Sequence, residues 1–239
     1  FAYPDSEEAV LENINFSVKQ GETIAVIGGT GSGKSTIAKL IPRFYDVSKG
    51  EIKLGGVDIR DLKQSELHDL IGYVPQKANL FSGNIRENIN YGSSKNLSDE
   101  EIIEALKIAQ AWDFVQQLPE DLNEKVSQGG KNFSGGQKQR LSIARAIASK
   151  APILIFDDSF SALDYKTDAK LRAELAIKTK SQTKFTVAQR VTSIMQADKI
   201  IVLDSGKIVG IGTHGELLKN NEIYGTNISS RAPRAYLYA

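Results

Sequence analysis

Residues 28 to 36 read GGTGSGKST and follow the apolar run Thr23 to Ile27, so that Gly28, Gly33, Lys34 and Ser35 satisfy the pattern G-x-x-x-x-G-K-[ST]. No other stretch limits the fold so tightly. The pattern demands a strand, a glycine-rich loop and a helix in that order, because the loop presents successive backbone N–H groups to an anion at a helix N-terminus. Thr30, Gly31 and Ser32 form the body of the loop, and Lys34 is suited to reach terminal phosphates. Ser35, followed by Thr36, can place a hydroxyl on Mg²⁺ where the helix begins. The ligand implied is a nucleotide; hydrolysis does not follow from the loop alone.

Hydrophobic periodicity extends this frame. Asn15 to Val18 and Thr23 to Ile27 read as strands separated by the Lys19-Gln20-Gly21-Glu22 turn, and Lys34 to Phe44 reads as the helix after the loop. Glu51 to Leu54 and Val57 to Ile59 flank Gly55-Gly56, which predicts a tight hairpin and a small antiparallel sheet near the front. From about Asn84 to Lys150 the pattern turns helical. Ser98 and Glu101 have the spacing of a capping box, and Ile102, Ala105, Leu106 and Ala109 recur on one helical face. Strands return as Ile153 to Phe156, Lys184 to Ala188 and Lys199 to Leu203, with Lys166 to Thr179 helical between the first two. The Asp204-Ser205-Gly206 turn then leads into Lys207 to Val209 as a final hairpin. Alternating strands and helices predict a parallel core sheet covered by helices. From Gly225 to Ala239 the periodicity fades and an irregular tail is expected.

Charge and composition remove several alternatives. Thirty basic against 29 acidic residues leave a net charge of +1, with no global field to attract nucleic acid, so no nucleic-acid partner is expected. Cysteine is absent, which excludes disulfides, thiolate zinc sites and thiol nucleophiles together. Apolar runs such as Ile153 to Phe156 fall far short of the roughly 20 residues of a membrane span. The abrupt opening on Phe1-Ala2-Tyr3-Pro4 suggests a domain taken from a longer protein.

Two further constellations carry chemistry. The apolar strand Ile153-Leu154-Ile155-Phe156 ends on Asp157, a carboxylate delivered by a sheet edge, as a magnesium nucleotide site requires; alone, the same aspartate would serve equally as a helix cap. Upstream, Asn132-Phe133-Ser134-Gly135-Gly136-Gln137 opens a basic amphipathic helix whose N-terminus offers N–H groups and a positive dipole to an anion, although Ser134 and Gly135 alone would read as an ordinary N-cap. A phosphate loop, then SGGQ with its helix, then a hydrophobic strand ending in Asp resembles the ATP-binding cassette (ABC) ATPases, whose motif order is the same.

That resemblance covers residues 1 to 224 and implies an α/β fold: a P-loop NTPase (RecA-like) core with a small antiparallel β subdomain and an inserted helical subdomain. The core lobe would comprise about 1–83 and 151–224, and the helical lobe about 84–150. ATP and Mg²⁺ are the implied ligands. Tyr3 matches the aromatic that stacks on adenine, Gln76 the glutamine that contacts Mg²⁺ and the membrane-domain interface, and Ser161-Ala162-Leu163-Asp164 the D-loop. Lys34, Ser35 and Asp157 would complete the nucleotide and metal contacts. The stretches Ile41 to Asp46 and Leu80 to Ile89 look like the exporter branch, in which this domain follows a transmembrane domain and works at the cytoplasmic face of the membrane. Two such domains pair head to tail, so Ser134, Gly135, Gly136 and Gln137 would serve a partner's ATP.

This chain departs from the pattern of its look-alikes in two places. Asp158 stands where the family has a glutamate as general base, and Gln189 where it has a histidine at the γ-phosphate; Phe133 also replaces a commoner leucine. A carboxylate one methylene shorter, and an amide that takes up no proton near neutral pH, imply slow turnover at the chain's own site. The intact SGGQ then implies a heterodimer with a different half-transporter, this chain's signature completing the partner's competent site. A regulatory module that never hydrolyses at its own site, and a soluble cassette ATPase outside transport, are the alternative readings.

Overall fold

The computed structural model describes residues 1–4, 6, 8–93, 96–189 and 194–231. In chain order the elements are β1 (Thr23–Gly28), α1 (Lys34–Leu40), β2 (Lys53–Leu54), β3 (Val57–Asp58), α2 (Gln64–Asp69), β4 (Ile71–Val74), β5 (Gly83–Asn84), α3 (Ile85–Asn90), α4 (Asp99–Ile108), α5 (Trp112–Val115), β6 (Lys125–Val126), α6 (Gly135–Ala148), β7 (Ile153–Asp157), α7 (Tyr165–Lys178), β8 (Thr183–Val187), β9 (Lys199–Asp204), β10 (Lys207–Gly212), α8 (His214–Asn220) and α9 (Glu222–Arg231). They gather into two compact units, residues 1–67 with 183–239, and residues 68–182.

In the first unit β1 lies between β8 and β9, parallel to both, with Val26 opposite Val187 on one side and Ile201 on the other. Four of its six residues, Ile24 to Ile27, are almost wholly apolar and buried, as a strand covered on both faces must be. β10 turns back antiparallel on β9 through Ser205 and Gly206, both in the left-handed region. Beneath this sheet Ile200, Val202, Leu217, Tyr224 and Ile228 join one core, which binds α8 and α9 to the strands. Tyr224 is fully buried and its hydroxyl meets His214 Nδ1 at 2.6 Å. The expected Gly55-Gly56 hairpin is present, with φ of 59° and 86°, although each strand holds only two residues.

Three boundaries differ from the sequence expectation. Asn15 to Val18 forms no strand; Phe16 instead lays its ring against Phe185 at 6.3 Å, so its apolar alternation serves side-chain packing rather than a ladder. α1 ends at Leu40, before the Arg43 backbone turns to a φ of 57°. The tail expected to be irregular from Gly225 is helical as far as Arg231, because Tyr224 and Ile228 anchor α9 in the core; residues 232–239 lie outside the described residues.

The second unit is built on β4 and β7, paired in parallel from Ile71 opposite Ile153 to Val74 opposite Phe156. α3 and α4 pack on α6, the longest helix of this part together with α7, and the core runs from Ile85 and Ile89 through Ile102 and Leu106 to Leu141, Ile143 and Leu154. α4 carries the expected capping box between Ser98 and Glu101. At the centre stands buried Asn88. Its amide donates to the carbonyls of Phe81 (2.8 Å) and Asn84 (3.0 Å), and its oxygen accepts from Phe81 N–H and from Arg145 Nη2. Burial pushes the Arg145 guanidinium down to about 10. Asn88→Ala is expected to destabilise the fold by about 2–4 kcal/mol in urea unfolding, since it strands several buried polar groups at once; a change under about 0.5 kcal/mol would contradict this network's role.

Candidate nucleotide-binding site

β1 delivers the chain into the phosphate loop with almost no lateral room. A Cβ on Gly28 would stand 2.2 Å from the Leu203 carbonyl oxygen, so glycine is required there by packing alone. Gly31 and Gly33 take φ values of 79° and 96°, which only glycine adopts without strain, and a Cβ on Gly33 would meet Leu11 Cδ2 at 2.4 Å. Gly29 and Gly31, by contrast, face open space, and Thr30 and Gly31 are exposed. The loop is thus pinned at both ends and open in the middle. The Lys34 ammonium folds over it, donating to the carbonyls of Gly29 (2.6 Å) and Gly28 (3.1 Å), with Ser32 Oγ at 3.4 Å. Ser35 and Thr36 fall in the first turn of α1, and the Thr36 hydroxyl meets the Tyr3 hydroxyl at 3.1 Å. The phosphate-loop residues and Tyr3, linked in the sequence only by expectation, therefore come together. Gln189, in the same unit, follows β8 and is exposed.

In the second unit the carboxylates stand at the end of β7. Asp157 and Asp158 are both buried, at 3% and 5% exposure. Tyr73 donates its phenolic proton to Asp157 Oδ2 at 3.1 Å, and Gln76 Nε2 donates to Asp158 Oδ2 at 3.0 Å. Gln76 and the two aspartates thus form one constellation. Asp158 has a φ of 49°, the left-handed region that non-glycine residues adopt at a cost. The backbone beyond it is held tightly: Ser159 Oγ donates to the Val74 carbonyl, Ser161 Oγ to the Asp158 carbonyl, and the Phe160 ring lies between Phe156 and the Arg172 guanidinium. Arg172 in turn pairs with buried Asp168 at 2.6 Å. Asp164 N-caps α7, and the hydrogen bonds from Thr167 hold its carboxyl below the usual range.

The SGGQ stretch is a capping box in physical terms. Ser134 Oγ accepts from Gln137 N–H at 3.3 Å while Gln137 Oε1 accepts from Ser134 N–H at 2.8 Å. Each end residue thereby fixes the other, and Gly135, where an added Cβ would meet open space, presents bare backbone to solvent. Phe133 sits buried under this turn beside Phe114, over whose ring the Arg140 guanidinium lies at 4.8 Å.

Comparison with known proteins decides the lineage. A family model described as "ABC transporter" matches residues 11–161. The chain belongs to the ABC transporter family. It is an ATP-binding domain of a family that hydrolyses ATP, with the P-loop NTPase α/β fold. An uncharacterised ABC transporter ATP-binding protein of Mycobacterium tuberculosis is 44% identical over 234 residues, covering 97% of this chain and 40% of that protein. The ATP-dependent lipid A-core flippase of Albidiferax ferrireducens is 43% identical over 222 residues, 93% of this chain and 38% of its own length. A solved bacterial Atm1-family ABC exporter with ATP bound superimposes with a TM-score of 0.91 at 36% identity, covering 95% of this chain and 40% of the other. The chain therefore spans about two-fifths of the length of these relatives.

Two contacts of the candidate site residues do not follow from any motif in the sequence. Tyr73 sits opposite Ile155 in register, and a pleat carries Ile155 and Asp157 to the same face, so strand alternation alone could have placed its hydroxyl beside Asp157. Tyr45 lies 5.0 Å from Tyr3, ring to ring, and no local pattern links residues 42 positions apart. Tyr73→Phe removes a proton donor from a buried carboxylate and is expected to cost about 1.5–3 kcal/mol by urea unfolding. An unchanged midpoint would contradict the Tyr73–Asp157 bond.

Proposed function

We propose that this chain is the ATP-binding subunit of an exporter, and that it binds Mg-ATP while turning it over slowly at its own site. The observation that carries the reading is that the chain has both an intact phosphate loop and, in its other unit, a short carboxylate held by Gln76. Gly31 and Gly33 hold the loop open around bare backbone, and Lys34 sits over it on Gly28 and Gly29, which fits a phosphate chain. Ser35 and Asp157 supply hard oxygen donors of the kind magnesium takes, one or two from protein and the rest from phosphate and water. Bound magnesium would neutralise phosphate charge. Tyr3 would meet the base, and Gln76 would report on the metal side.

Asp158 is proposed as the base. Its side chain is one methylene shorter than glutamate, its backbone is left-handed, and Gln76 already holds one of its oxygens. A base displaced by about 1 Å loses on the order of 100-fold in rate. Gln189 would hydrogen-bond a phosphate oxygen but not titrate near neutral pH. Both features also favour a purely regulatory module that holds ATP unhydrolysed, which differs only in the residual rate.

The signature Ser134 to Gln137 is proposed to act on a second nucleotide-binding domain, supplied by a different half-transporter. Its mutual cap and the exposed glycine backbone suit an anion presented from outside the chain. Residues 1–224 would form the nucleotide-binding domain, with 84–150 as its helical lobe and Asp164 in the D-loop facing the partner. A transmembrane domain joined to this chain at the cytoplasmic face of the membrane accords with the two-fifths coverage of the relatives. Among the described residues no helix is long and apolar enough to cross a membrane. A multidrug export ATP-binding/permease protein of Staphylococcus aureus, 44% identical over 224 residues, supports export as the task.

Combining Asp158→Glu with Gln189→His is expected to raise steady-state ATP hydrolysis at this site by about 10- to 100-fold. No gain would show that these positions do not limit turnover. In the assembled transporter, Ser134→Arg should abolish most turnover while leaving this chain's own ATP affinity within about two-fold; the reverse pattern would exclude a signature acting in trans.

A further inference from the structure

Three aromatic rings gather where the N-terminal segment crosses the end of α1. Tyr3 meets Phe1 at 5.0 Å and Tyr45 at 5.0 Å between ring centroids, with interplanar angles of 78° and 88°, and Phe1 and Tyr45 lie 6.1 Å apart. Both of Tyr3's ring partners are therefore nearly perpendicular to it, the edge-to-face geometry that aromatic quadrupoles favour. Such contacts fix the plane of a ring, not merely its place. At its far end the Tyr3 hydroxyl meets Thr36 Oγ1 at 3.1 Å, one residue beyond the serine of the phosphate loop.

The backbone on either side of the cluster is anchored independently. The Phe1 carbonyl accepts from the N–H groups of Val10 and Leu11, and Glu12 N–H donates to the Gly206 carbonyl. Ala2 N–H donates to Ser48 Oγ at 3.2 Å, which ties the N-terminal segment to the stretch that carries Tyr45. That stretch is itself clamped: Arg43 donates from Nε to Asp46 at 2.6 Å and from Nη1 to the carbonyls of Ile59 and Arg60. Yet Tyr45 remains 37% exposed and Phe44 45% exposed. A rigid turn that spends an arginine and an aspartate to hold a half-exposed tyrosine against another tyrosine is poorly explained by core packing.

Resting on the nucleotide reading above, we propose that Tyr45 is a positioning residue for the base of the bound nucleotide. It acts through Tyr3: Tyr45 and Phe1 set the plane of the Tyr3 ring, and Thr36 sets the distance of that ring from the phosphate loop. Stacking on a base depends on the plane of the platform, whereas binding of the phosphate chain does not. The device therefore separates affinity for the base from affinity for the triphosphate.

Calorimetric titration of the 239-residue chain with ATP and with inorganic tripolyphosphate, each with Mg²⁺, tests this directly. Tyr45→Ala should weaken ATP about three- to ten-fold, the worth of one aromatic pair, and leave tripolyphosphate within about two-fold of wild type. Tyr45→Leu, which keeps bulk but not the ring, should behave the same way, and Tyr45→Phe should restore wild-type ATP affinity. Equal weakening of both ligands by Tyr45→Leu would mean a structural role only, and unchanged ATP affinity in Tyr45→Ala and Tyr45→Leu would mean none; either overturns the proposal. A wild-type chain that binds neither ligand overturns the nucleotide reading itself, a distinct failure.

Discussion

β1 ends against β9 so closely that only backbone fits between them. The Leu203 carbonyl oxygen stands 2.2 Å from where a Cβ of Gly28 would be, and Leu11 Cδ2 stands 2.4 Å from that of Gly33. These two approaches fix where the phosphate loop leaves the sheet and where it enters α1. Between them the chain has little choice but to arch, with Gly31 and Gly33 in the left-handed region and Lys34 folded back onto the carbonyls of Gly28 and Gly29. Packing thus demands glycine at the two ends of the loop, Gly28 and Gly33, while Gly29 and Gly31 face open space.

The second unit shows the opposite balance. Its carboxylates are positioned by side-chain hydrogen bonds that nothing in the backbone requires: Tyr73 on Asp157, Gln76 on Asp158, Ser161 on the Asp158 carbonyl. Asp158 takes a left-handed backbone, and the Phe160 ring beyond it contacts both the Phe156 ring and the Arg172 guanidinium. Under the proposed function, a phosphate loop set by packing and a carboxylate held by Gln76 would suit retention of ATP. The capping box at Ser134 and Gln137, on the other hand, closes the N-terminus of α6 by reciprocal hydrogen bonds.

Much of this was legible in the sequence wherever one residue type does one job. The glycine spacing at 28 to 36, the Gly55-Gly56 turn, the Ser98–Glu101 box and the apolar run into Asp157 each state a local constraint, and each matches the structure. Legibility failed where packing between distant segments overrides local pattern. Asn15 to Val18 alternates like a strand, yet Phe16 spends its alternation on Phe185. Gly225 onward looks irregular, yet buried Tyr224 and Ile228 carry a helix through it. Tyr45 and Tyr3 form a pair that no spacing rule connects. The departures at Asp158 and Gln189 were visible as letters, but the hydrogen bond from Gln76 that restrains Asp158 appears only in three dimensions.

The claim that this site holds ATP rather than consuming it meets its most direct test in a single-turnover measurement. Purified chain is incubated with γ-labelled ATP and Mg²⁺, separated from free nucleotide, and the bound label is analysed over time. Bound nucleotide recovered mainly as intact ATP long after a competent cassette would have converted it is the predicted result. Release of labelled phosphate at the rate of a competent cassette would contradict it.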